Sequence, residues 1–199
     1  MAEVTALMVK ELRERTGAGM MECRKALVES DGNIDNAIKW LREKGISKAE
    51  SKASRETREG IIYSYIHFNG KIGVMIELNC ESDFVARTED FTGLAEEIAM
   101  QIAATNPLAI SADQIDPEVI EREKDIARNK ALNEGKKAEF LDKIIEGNVR
   151  KFCAENALLE QQLISDDHRT VKDLISAAIA KTGENIQVAR FVRYSLGGN

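Results

Sequence analysis

Residues 60–78 read GIIYSYIHFNGKIGVMIEL, and their pattern decides the fold class. Two runs rich in β-branched and aromatic residues flank Asn69–Gly70. Asn–Gly between such runs is a strong hairpin signal, because both central positions of a type I′ turn need positive φ. The alternation places Ile72, Val74, Ile76 and Leu78 on one face of the second strand. A third run, IQVARFVRYSL at 186–196, alternates in the same way and is expected to join the hairpin. The result is an antiparallel three-stranded sheet.

Helical patterns surround these strands. Residues 1–45 predict three short helices, each too short to stand alone, so they must share a core. Met8, Val9 and Leu12 stripe the first; Met20, Cys23 and Leu27 the second; Ile34, Ala37, Ile38 and Leu41 the third, which is expected to stop at Gly45. Residues 46–59, ISKAESKASRETRE, lack an apolar stripe and read as a solvated linker between two domains, one that could be helical. Beyond the hairpin, four helices are expected at about 88–104, from Asp116–Pro117 to Asn133–Gly135, at about 137–154, and from Thr170 to Gly183. The predicted fold is therefore α+β: a three-helix module (1–45), a linker (46–59), and a sheet packed with helices (60–199).

Composition narrows the function classes. The 199 residues are 43% hydrophobic and 31% charged, as in a globular chain. A formal charge of −6 argues against nucleic-acid binding through a broad basic face. No apolar run reaches the length of a bilayer span, and MAEVTALMVKELRER does not resemble a secretory signal, so a cytoplasmic protein is expected. Cys23, Cys80 and Cys153 are odd in number and far apart, which disfavours a disulfide framework. With only His67 and His168 and no paired-ligand motif, no zinc site is expected.

The candidate chemistry centres on NCESDFVA, residues 79–86, where the alternation ends. Cys80 with His67 could form a thiol–imidazole pair, but nothing recognisable supplies an oxyanion hole. A half-buried structural thiol is the plainer reading. Glu81 and Asp83 are too few carboxylates for a hard cation. Thr16–Gly17–Ala18–Gly19 follows a helix and lacks the Lys–Ser/Thr pair of a P-loop, so a helix–helix turn is expected. Met20 and Met21 lie about 100° apart around a helix; one is expected inward and the other at the surface. Phe84 has two readings that the residues alone leave level. It either staples the helix that begins near Thr88, or stands exposed on a turn beside Asp83 as an interface anchor.

The chain resembles the bacterial elongation factor Ts family. LRERTGAGMMECRKAL (12–27) with LREKG (41–45), and ELNCESDFVAR (77–87), carry the resemblance. It continues through EGIIYSYIH (59–67), KIIEGNVRKF (143–152) and GENIQVARFVRYSLG (183–197). The resemblance implies a ubiquitin-associated-like first module and a guanine-nucleotide exchange factor for elongation factor Tu, without a cofactor and without bond-making chemistry. It also implies that Arg13, Met20 and Met21 dock the module on the partner. Ser82, Asp83, Phe84 and Val85 would form the tip that disturbs the partner's magnesium site, Ser82 standing for the family's usual threonine. His67 would be a weaker contact. Longer members carry two copies of the core unit, so this single-core chain is expected to form a homodimer. The alternatives from other classes are a thiol-dependent enzyme centred on Cys80 and a helical adaptor for a different partner.

Overall fold

The computed structural model describes residues 4–198. Among them run eight α-helices and one antiparallel three-stranded sheet of order β1-β2-β3. The helices α1 (Ala6–Thr16), α2 (Met20–Glu29) and α3 (Ile34–Glu50) precede the hairpin β1 (Glu59–Ile66) and β2 (Ile72–Cys80). A one-turn helix α4 (Asp83–Ala86) leads into α5 (Glu89–Thr105). Then come α6 (Pro117–Asn133), α7 (Leu141–Asn156), α8 (Val171–Thr182) and β3 (Gln187–Ser195). The fold class is as the alternation implied: α+β, with helices first.

The chain divides into two compact units. One gathers the described residues through Ser64 with Met75–Glu97 and Asp173–Phe191; the other gathers Tyr65–Val74, Ile98–Lys172 and the chain from Val192 on. In the first unit, α1–α3 enclose Val9, Leu12, Cys23, Ala26, Leu27 and Ala37. Thr5 and Asn33 cap α1 and α3 by accepting from the N–H of Met8 and Asn36. The same unit buries Ile76, Leu78 and Cys80 along one face of β2, with Phe91 and Leu94 from α5 and Ile175 and Ile179 from α8. In the second unit, Ala109, Ile115 and Ala157 make a small apolar cluster. Gln101 and Gln161 are buried there in a satisfied network, in which Gln101 Nε2 and Thr105 Oγ1 both donate to Gln161 Oε1, at 3.2 and 2.8 Å.

Two local expectations need correction. The hairpin exists, but its turn is not type I′: of Asn69 and Gly70 only the glycine has positive φ, at 66°. The Gly70 N–H closes a turn on the His67 carbonyl at 2.7 Å, and Ile72 accepts from the His67 N–H at 2.9 Å. Asn69 spends its side chain on the Lys71 N–H at 3.0 Å, so a wider loop with one left-handed residue replaces the two-residue turn. The third helix, in turn, does not stop at Gly45 but runs to Glu50. Gly45 is buried, and a Cβ placed on it would lie 3.9 Å from Ala180 Cβ and from the Ser176 carbonyl. The glycine faces α8 instead of ending α3. Arg42, one turn earlier, grips the buried Asp173 at the start of α8 through bonds of 3.0 and 2.6 Å.

Gly45 and Gly60 should therefore respond oppositely to alanine. At Gly60, φ is 152° and a Cβ would come within 2.3 Å of the Leu78 carbonyl, so Gly60→Ala must move backbone. Strain of about 1–3 kcal/mol is expected, lowering the melting temperature by roughly 3–10 °C. At Gly45 the new methyl meets ordinary contact distances inside a helix, where alanine is favoured by about 1 kcal/mol. Gly45→Ala should raise the melting temperature by roughly 2–4 °C in the same calorimetric experiment.

Candidate functional site

β2 delivers the chain to Cys80, and the residues that follow enter a network of hydrogen bonds. The Cys80 thiol donates to the Ser82 carbonyl at 3.1 Å, which holds the two residues after the strand in a bend. Burial pushes this thiol's pKa up, with the charge of Glu184 adding to the effect. It stays protonated at neutral pH, the opposite of what a thiolate nucleophile needs. His67, the first residue of the hairpin loop after β1, shares its Nδ1 with the Tyr65 hydroxyl at 3.0 Å and stacks obliquely on Phe68 at 4.5 Å between ring centres.

Ser82 is the N-cap of α4, and its hydroxyl oxygen accepts from the Val85 N–H at 3.4 Å. The same hydroxyl donates to Glu184 Oε1 at 2.5 Å. The other oxygen of that carboxylate accepts from the N–H groups of Glu81 and Ser82 at 3.1 and 3.0 Å. Glu81 returns the arrangement: its Oε1 accepts from the Asn185 N–H at 2.6 Å. Each strand end thus lends a carboxylate to the other's backbone.

Asn185, 2% exposed, extends the lock by donating from Nδ2 to the carbonyls of Arg55 and Ala53 at 2.9 and 3.4 Å. Lys52 Nζ donates to the Gly183 carbonyl, and Arg55 faces Glu81 at 3.4 Å. The polar stretch 46–59 is therefore held at these points by hydrogen bonds that its composition does not reveal.

The four-residue helix on this base presents Phe84 to solvent at 81% exposure. That settles the local geometry against the staple: Phe91, 1% exposed, is the ring buried at the start of α5, and Thr88 caps that helix by accepting from the Phe91 N–H at 3.2 Å. Asp83 is half-exposed and paired with Arg87 at 3.0 Å, a surface pair that a competing donor can open at little cost. Val85 is half-buried and Ala86 buried, so the one turn is anchored on one side and bare on the other.

On the three-helix module, Arg13 is exposed, and Met20 and Met21 are 56% and 74% exposed. The expectation that one methionine packs inward is corrected. Ala18 packs against the core at the turn before α2, and the buried Cys23 donates its thiol to the Ala18 carbonyl at 3.6 Å. With these two small residues closing that end of the core, both methionines at the first turn of α2 stand outside it.

The family model for elongation factor Ts matches residues 8–198. The chain is 57% identical over 197 residues to elongation factor Ts of Oleidesulfovibrio alaskensis, covering 99% of this chain and 100% of the relative. It is 55% identical to that of Fervidobacterium nodosum, covering 98% and 99%, and 55% identical to that of Caldanaerobacter subterraneus, covering 98% and 97%. The chain belongs to the elongation factor Ts family. It is thus a member of a family of translation elongation factors, and among its described residues no helix is long and apolar enough to cross a membrane.

Within this chain, the sequence singled out Ser82–Val85 but not Glu184, Asn185 or the role of Glu81. Their only local signal is an acid directly after the helix-ending Gly183, and nothing in the spacing pairs it with a residue about a hundred positions earlier.

The lock carries a pH signature. The Asn185 N–H holds the Glu81 carboxyl below its ordinary value of 4.5, and Arg55 adds to the depression against the opposing effect of desolvation. A depressed folded value means the contribution is complete above the ordinary value and is lost as pH falls through the folded one. The melting temperature of the wild type should exceed that of Glu81→Gln by a constant margin from about pH 7 to about pH 5. The margin should narrow progressively in melts at lower pH.

Proposed function

We propose that this chain is a guanine-nucleotide exchange factor that binds elongation factor Tu with GDP, disturbs the partner's magnesium site and promotes GDP release. The observation that carries the reading is Phe84: a large apolar ring, 81% exposed, on a turn whose base is tied to Glu184 by three hydrogen bonds. An exposed ring adds nothing to the stability of the free protein, while buried aromatic anchors dominate interface energies. Ser82 braces the turn, Phe84 is the wedge, Asp83 can exchange Arg87 for a partner donor, and Val85 backs the ring. Exchange then follows from coupling: a tip that binds the nucleotide-free form better must weaken GDP, and GDP must weaken the tip. The chain itself makes and breaks no bond.

In this reading residues 1–45 are the anchoring module, docking through Arg13, Met20 and Met21, whose joint exposure suits an adaptable contact. Residues 46–59 connect it to the core domain at 60–199, where His67 is a secondary contact. The protein works in the cytoplasm without a cofactor, and neither nucleic acid nor a membrane is its target. It acts as a homodimer: β1 and β3 are both edge strands. Ile66, Tyr194 and Leu196 line one shallow hollow and are each more than half exposed. Sedimentation should report twice the chain mass, and Ile66→Lys with Tyr194→Lys should report a monomer.

The deciding experiment is release of fluorescent GDP from elongation factor Tu. Phe84→Ala should slow the stimulated maximal rate by about tenfold or more, with a melting temperature unchanged to within about 0.5 kcal/mol of stability. Met20→Ala with Met21→Ala should raise the half-saturating concentration and spare the maximal rate. A wild-type protein that leaves GDP release unstimulated, yet binds some other partner through α1–α3, would point to the adaptor reading.

A further inference from the structure

Ser82 has no polar group left to reassign. Its N–H and its hydroxyl proton go to the two oxygens of Glu184 at 3.0 and 2.5 Å. Its hydroxyl lone pair receives the Val85 N–H at 3.4 Å, and its carbonyl receives the Cys80 thiol at 3.1 Å and the Ala86 N–H at 3.3 Å. Because the hydroxyl proton is committed to Glu184, its oxygen is oriented to receive Val85; the two bonds form a relay from Glu184 into the turn that carries Phe84. No polar atom of Phe84's own side chain exists to aim the ring. Asp83, its neighbour, is tied only to the exposed Arg87.

Glu184 is in turn rigidly based. The Gly183 N–H donates to the Ile179 carbonyl at 2.9 Å, the Glu184 N–H to Thr182 Oγ1 at 3.3 Å, and the Thr182 hydroxyl to the Ala178 carbonyl at 2.9 Å. The carboxylate therefore hangs from the end of α8, on a frame continuous with the buried Asn185. Removing it would leave two N–H groups and a hydroxyl to water, while the apolar residues beneath (Cys80, Ala86 and Phe91, each no more than 6% exposed) keep their packing. The cost falls on the aim of the turn more than on its existence.

We propose that Glu184 is a positioning residue for exchange: it acts through Ser82 to hold the Phe84 turn in the orientation that engages the partner. This rests on the reading of Phe84 as the wedge. In the intact protein assayed with elongation factor Tu and fluorescent GDP, Glu184→Ala is expected to lower the maximal stimulated rate by about tenfold. The half-saturating concentration, set by the three-helix module, should change by less than about twofold. Hydrogen exchange at the amides of Glu81 and Ser82 should quicken, and Glu184→Gln, which keeps an oxygen for both N–H groups but offers the Ser82 hydroxyl a donor in place of its acceptor, should recover only part of the rate.

A merely structural role would instead lower docking, rate and melting temperature together. If Glu184→Ala does not fold, Glu184→Asp keeps the charge but retracts it by one methylene, and a loss of at least about threefold is expected from it. Wild-type rates from folded Glu184 variants, beside a slow Phe84→Ala, overturn the positioning role alone. Full rates from Phe84→Ala as well overturn the wedge reading, and the positioning role falls with it.

Discussion

The site depends on an exchange of carboxylates between two chain segments about a hundred residues apart. Glu184 accepts from the backbone at 81 and 82, and Glu81 accepts from the backbone at 185. Charge-assisted bonds of this kind are roughly twice as strong as neutral ones. Here they join the end of β2 to the loop that leads into β3, at the point where β2 has run out of ladder. The backbone groups there would otherwise face water or go unpaired near a buried thiol. Satisfying them with side-chain oxygens lets the chain leave the sheet abruptly, and that abrupt exit makes a turn bare on one side.

The same lock gives the polar stretch after α3 its place. Asn185 donates to the carbonyls of Ala53 and Arg55, and Lys52 reaches the Gly183 carbonyl. The buried Gly45 faces α8, and Arg42 adds an ionic contact from α3 to α8. The surface pairs are individually weak, whereas Arg42 with the 8%-exposed Asp173 is a two-bond contact to a buried carboxylate. Segments that read as three separate blocks in sequence are thus joined within one compact unit. In the proposed reading, the docking module and the wedging turn would need a fixed separation, since slack between them would reduce the effective concentration of the second contact once the first is made.

What was legible in the sequence was what depends on local periodicity. The strands, the three opening helices and the starts of α5, α6 and α8 all follow from spacing and capping residues such as Asp116–Pro117. What failed depended on a distant neighbour. Gly45 looked like a helix stop because the residues of α8 that it faces lie more than a hundred positions on. Met20 looked buried because its helical phase is right, yet Ala18 and Cys23 already close that end of the core. The Asn69–Gly70 turn was right in kind and wrong in type, because the asparagine side chain took a local bond in place of a left-handed backbone. Glu184 was invisible for the same reason as Gly45: a carboxylate announces its charge in a sequence but not its donors.

The standing of Phe84 turns on a comparison of two rings seven residues apart. Both lie just after β2 and both start a helix, so either satisfies the need for an apolar residue near a helix N-terminus. Only one of them is taken into the core of the first unit: Phe91, at 1% exposure, buried as Leu78 and Cys80 are. Burying a phenyl ring gains about 1.5–3 kcal/mol, so a chain with no use for the first ring would lose nothing by replacing it with a polar residue. A ring left 81% exposed, on a base carrying three hydrogen bonds to one carboxylate, reverses that logic. Its apolar surface contributes nothing until something covers it, and the bonds beneath it reduce the ordering cost of being covered.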